Sequence, residues 1–211
     1  MKLRMYLAAA ATLLVILYAA PGEPVEDQLA RLRNLGKAFY ENTTTQNEAV
    51  ETFRQALKLK PDSIRERLNF GLALLRAGKT PEGIAELEKV QQADPSLPHT
   101  WFNLGIVFKK QGESDKATVQ MEKMVSLVPN EPISHYNLGA LYKLAGKTNE
   151  AIGQFETADR LNTGLAAPHF QVYNAYRTTA QPAKARPELE TFKRRNKPIE
   201  GRAIHITGEL H

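Results

Sequence analysis

The chain has 211 residues, no cysteine, and 28 Lys and Arg against 23 Asp and Glu, a formal net charge of +5. Without cysteine there is no disulfide framework, no thiol nucleophile and no thiolate metal site. The positive excess is small and dispersed, which argues against a nucleic-acid interface built on a concentrated basic patch.

Residues 1–20 differ in character from the rest of the chain. Lys2 and Arg4 precede a charge-free run from Met5 to Ala20, rich in Leu, Ala, Val and Ile, and Pro21-Gly22-Glu23-Pro24 ends it. This pattern reads as an export signal. The run of 16 residues is short for a bilayer span of about 20, so a cleaved signal and a retained N-terminal membrane anchor both fit. Positive residues on its N-terminal side keep that end in the cytoplasm. In either case the remainder is expected outside the cytoplasm, touching a membrane only through residues 1–20. Residues 21–28 read as a short acidic, proline-bearing linker.

From residue 29 the chain repeats itself. Gly71, Gly105 and Gly139 are spaced by 34, with Asn69, Asn103 and Asn137 two residues before them and Leu74, Phe108 and Tyr142 three after. Gly78, Gly112 and Gly146 follow at seven, Gly83, Ala117 and Ala151 at twelve, and Leu87, Met121 and Phe155 at sixteen. A fixed period in this range marks stacked supersecondary units, each burying its apolar face against its neighbours. The phase extends upstream through Asn34 and Gly36, where an insertion near Thr43 to Gln46 delays the second half by one residue, and downstream through Tyr173. Five units result: 29–63, 64–97, 98–131, 132–165 and 166–199, followed by a tail, 200–211, in which Ala203 to Thr207 has strand character.

Each unit reads as two helices. Trp101, Leu104 and Phe108 fall at helical spacing in the first half, and Ala117, Met121 and Met124 in the second. Gly78, Gly112 and Gly146 suit left-handed C-cap positions. The earlier glycine, Gly71, Gly105 or Gly139, sits inside helix one at a cost of about 1 kcal/mol relative to alanine. Its recurrence predicts a neighbouring helix too close for a side chain. Pro95 and Pro129 close two units, since proline lacks the N–H a helix needs. In the last unit Tyr173 and Ala180 replace the two glycines and Pro187 falls within helix two, which predicts a late start or a kink there.

Trp101, Leu104, Gly105, Phe108, Ala117, Met121, Met124 and Pro129 make the unit resemble a tetratricopeptide repeat, and the resemblance covers about residues 29–199. It implies an all-α, right-handed solenoid of about five helix–turn–helix repeats, with helix one of each unit on a concave face along which extended peptides bind. It implies a non-catalytic protein–protein scaffold without cofactors, or alternatively an accessory docking module of a larger cell-envelope enzyme or transport assembly.

Three residue sets share the helix-one face by phase. The first is the amide row Asn34, Asn69, Asn103 and Asn137, continued by Gln171, whose donors and acceptor suit a peptide backbone. In some superhelical relatives such a row does this; the simpler alternative is local bonding. The second is basic: Arg33, Lys37, Arg65, Arg76, Lys109, Lys110, Lys143 and Arg177. It favours an acidic or carboxylate-ended segment, unless it is merely a solvated helix face. The third is apolar: Leu68, Leu72, Phe102, Ile106, Tyr136 and Phe170, either docking positions or packed between units. No nucleophile motif, phosphate loop or metal spacing accompanies them. His99, His135 and His169 recur near the start of helix one and read as packing between helices, and the basic run Lys193 to Lys197 as cations favoured at a helix C-terminus.

Overall fold

A computed structural model describes residues 23–196. The expected signal or anchor (1–20) and the tail (200–211) lie outside the described residues. Within them there are ten helices and no strand: α1 (Val25–Glu41), α2 (Gln46–Leu59), α3 (Ile64–Arg76), α4 (Thr80–Ala93), α5 (Pro98–Gln111), α6 (Ser114–Leu127), α7 (Pro132–Leu144), α8 (Thr148–Leu161), α9 (Ala167–Thr178) and α10 (Pro182–Arg195). None is long and apolar enough to cross a membrane. They fall into two compact units, one ending at Pro95 and the other beginning at Ser96.

In unit one each of α1 to α4 packs on the next. Ala49, Val50 and Phe53 of α2 meet Ala73 and Leu74 of α3, with Phe39, Tyr40 and Phe70 against them. The helix starts are written locally. Pro24 precedes α1, and Glu26 and Asp27 in its first turn suit the positive end of the helix. As a result α1 begins at Val25, inside the stretch read as linker. Ser63 caps α3 by accepting a hydrogen bond from the Glu66 N–H, 3.3 Å. The inserted residue lengthens the turn of 42–45, where Asn42 accepts from the Thr44 N–H at 3.0 Å.

In unit two α5 to α10 pack in the same succession. Leu104, Phe108, Ala117 and Met121 are buried between α5 and α6. Ala151, Ile152 and Phe155 of α8 meet Val172 and Ala175 of α9, with Tyr136, Tyr142 and Tyr176 alongside.

The repeating glycines do what their phase implies. A β-carbon on Gly36, Gly71, Gly105 or Gly139 would lie 2.7, 2.9, 2.8 and 2.8 Å from Phe53, Leu87, Met121 and Phe155 respectively, the residues sixteen or seventeen positions on. Helix two of the same unit is the close neighbour. At Tyr173 the pattern is broken, and Leu189, at the position where Leu87, Met121 and Phe155 are fully buried, is left half-exposed. Gly78, Gly112 and Gly146 adopt φ of 75°, 79° and 72°, and Ala180 takes the same left-handed region at 53°. The late start expected near Pro187 does not occur, because α10 runs unbroken from Pro182. Proline at the first helical position presets φ, and Pro187 lies inside the helix, forfeiting the bond its N–H would make to the Ala183 carbonyl.

A second device ties helix one to its unit. Arg67 donates to the Pro61 carbonyl (2.8 Å) and to Glu86 (2.9 Å). At the equivalent position His135 has Nε2 2.8 Å from the Pro129 carbonyl and Nδ1 2.7 Å from Gln154. Burial works against the charged form of Glu86, but hydrogen bonds from Lys89 and Arg67 outweigh it and hold the carboxyl below its ordinary range.

Candidate functional site

Helix one of each repeat carries the residues singled out by phase, and the two units treat them differently. In unit one two of the four cations, Arg33 and Lys37, have ion-pair partners. Arg33 donates through Nε (2.8 Å) and Nη2 to Oε1 of the fully buried Glu66, and this bond raises the guanidinium pKa further. Lys37 lies 3.8 Å from Glu41, and the Arg76 guanidinium stands 4.7 Å over the Tyr40 ring. Arg65 and Asn34 are exposed and Asn69 is half-buried. Leu68 and Leu72 are half-buried in the same helix, α3.

Unit two is built otherwise. Its helix-one segments, α5, α7 and α9, contain no aspartate or glutamate at all, while carrying Lys109, Lys110, Lys143 and Arg177. Among the described residues none of these four cations has an ion-pair partner. Lys109 is half-buried and donates to Oδ1 of Asn137 at 2.9 Å; burial depresses its pKa, because no carboxylate offsets the loss of water around the ammonium. One repeat on, exposed Lys143 donates to Oε1 of Gln171, also at 2.9 Å. The amides themselves are held from behind. Asn137 Nδ2 donates to the Ile133 carbonyl at 2.9 Å and Gln171 Nε2 lies 3.5 Å from the Tyr136 hydroxyl.

The amide row is therefore not a free ladder. Asn103 bonds back to the His99 carbonyl (2.7 Å) and buried Asn137 to that of Ile133, which is the local bonding that the sequence leaves open for them. The apolar set also divides. Tyr136 packs on Phe155 with ring centroids 5.5 Å apart, and Phe102 and Ile106 are half-buried. Phe170 is 40 % exposed beside Phe192 and Tyr173. Among the exposed apolar residues outside the set drawn from the phase are Ile133 (52 %) and Leu144 (69 %) of α7. Ile133, Asn137 and Leu144, at i, i+4 and i+11, lie on one stripe of α7, a signal the sequence carries when the stripe is read to its ends.

Other polar groups serve structure. His169 has Nδ1 2.5 Å from Glu188 and Nε2 3.1 Å from Asp159, which Arg195 also engages. Tyr142 donates to Glu122 at 2.8 Å. Lys123 stands 6.0 Å over the ring of Trp101. Among the described residues no group of three or more His, Asp or Glu is placed to hold a metal. In unit one a hollow of about 370 Å³ is lined by Arg54, Phe70, Leu74, Lys79, Glu82 and Glu86, among others.

Comparison with known proteins agrees with the repeat reading. Two family models described as tetratricopeptide repeat match residues 68–132 and 34–63. A comparison with curated proteins found no match. Among solved structures, MamA (residues 41 to the end) from Desulfovibrio magneticus RS-1 is similar with a TM-score of 0.74 at 16% identity, covering 82% of this chain and 98% of that one. A crystal structure of MamA protein gives 0.71 at 17%, covering 81% and 92%. MamA AMB-1 gives 0.70 at 19%, covering 85% and 96%. At these identities the likeness is one of fold. On its phased helix pairs and the two family matches, the chain carries tetratricopeptide repeats.

Proposed function

We propose that the protein is a non-catalytic scaffold outside the cytoplasm that binds an extended, acidic or carboxylate-ended segment of a partner protein on the α5–α7–α9 face of unit two. Tetratricopeptide repeats support the coarser reading, a protein–protein interaction module. The observation that carries the finer one is the complete absence of carboxylates from α5, α7 and α9 beside four cations without ion-pair partners. Lys and Glu usually mix on solvated helices, so a face of one sign attracts the opposite sign from a distance and disfavours like-charged partners. Exposed Ile133, Leu144 and Phe170 would add apolar contact between the charges.

The test is a titration of the full chain with a fluorescent acidic peptide. Replacing Lys110, Lys143 and Arg177 together by Ala is expected to weaken binding at least tenfold, with the helical circular dichroism unchanged; equal affinity would overturn the reading. Extracytoplasmic placement rests on the pattern of residues 2–24. A reporter enzyme active only after export, fused after His211, should be active with the full chain and inactive when residues 1–20 are removed.

A further inference from the structure

Two of the cations are arranged in a way that mere positive charge does not require. Lys109 meets Asn137, and Lys143 meets Gln171, each 28 residues on and each at 2.9 Å. The two pairs are related by one repeat of 34 residues, so they are the same contact made twice between successive helix-one segments. In both, an amide carbonyl fixes the ammonium without neutralising it. An ammonium has three N–H donors, and one is used. The amide cannot turn away, because its own N–H group is engaged behind it by the Ile133 carbonyl or the Tyr136 hydroxyl. A neutral side chain at residue 109 could satisfy Asn137 without the cost of half-burying a charge. The cations of unit one at the equivalent stations are absent: Tyr40 and Leu75 stand there. The pattern is thus confined to the acid-free helices.

We propose that Lys109 and Lys143 are two rungs that read an extended acidic segment whose carboxylates lie about three residues apart. The spacing follows from the fold. Lys109 reaches Asn137 of the next helix one through a single side-chain contact, which puts successive rungs at about the 8–10 Å of close helices; an extended chain rises about 3.3 Å per residue, so one repeat spans about three residues of ligand. Each rung offers its remaining ammonium donors to one carboxylate. The inference rests on the α5–α7–α9 face being the binding surface, and adds to it a required register.

The experiment uses the full chain and three acetylated, amidated Gly/Ser octapeptides, each with two glutamates: adjacent, three apart and six apart. Blocked ends remove any terminal carboxylate. The peptide with glutamates three apart is expected to bind about fivefold tighter than the others, the scale of one added charge pair. Lys109→Met and Lys143→Met should each abolish that preference, and Lys109→Arg, which keeps the charge and a donor for Asn137, should retain most of it. Equal binding of all three peptides, or variants that weaken all three alike, overturns the register while leaving the acidic face standing. No binding of any of the three overturns both.

Discussion

At the scale of single residues, the phase of the repeat tells which side chains share a face but not which way each polar group turns. Asn137 belongs to the predicted row, yet its amide is spent on Ile133 and Lys109. Arg33 belongs to the predicted basic set, yet Glu66 neutralises it. Glu66 follows Ser63 at capping-box spacing, which in sequence assigns its carboxylate to the helix start rather than to another helix. Tyr142 offers a residue-scale prediction. Burial, then its bond to Glu122, pushes its pKa up to about 12. A raised folded-state value means the neutral phenol stabilises the fold fully below pH about 10, and this contribution is lost as pH rises toward 12. Tyr142→Phe should cost at most about 1 kcal/mol at neutral pH. It should also flatten the fall in stability across that alkaline window, read by urea unfolding at a series of pH values.

At the scale of elements, the sequence is more legible. Helix pairs, turn glycines and the inserted residue near Thr43 all stand where a single ruler puts them, because close approach and left-handed backbone both select glycine strongly. The ruler loses its hold in the last repeat, which departs from it. The ruler puts the start of helix two at Pro182 and Pro187 five residues inside it, yet α10 is continuous from Pro182. Ala180 shows the opposite case: alanine holds a left-handed conformation that three glycines hold elsewhere. Left-handed backbone costs a non-glycine residue about 1–2 kcal/mol, partly offset by the greater freedom glycine has when unfolded. Ala180→Gly should therefore stabilise the last helix pair by about 0.5–1 kcal/mol. Slower amide exchange across α9 and α10 would register this; no change, or faster exchange, would count against the strain.

At the scale of the whole molecule, stability in stacked repeats is approximately a sum of unit terms and nearest-neighbour terms, so different stretches need not melt together. The division at Pro95 and Ser96 gives that expectation a definite form. The chain has a single tryptophan, Trp101, and it lies in α5 of unit two. Its emission is therefore an optical reporter confined to one unit, whereas far-ultraviolet dichroism sums the helices of both. Followed together in denaturant, coincident curves would mean that the units unfold as one cooperative body, and separated curves would give each unit its own midpoint. The same indole, in the first helix of the acid-free face, makes the natural protein its own probe for the arrival of a ligand, with no dye attached.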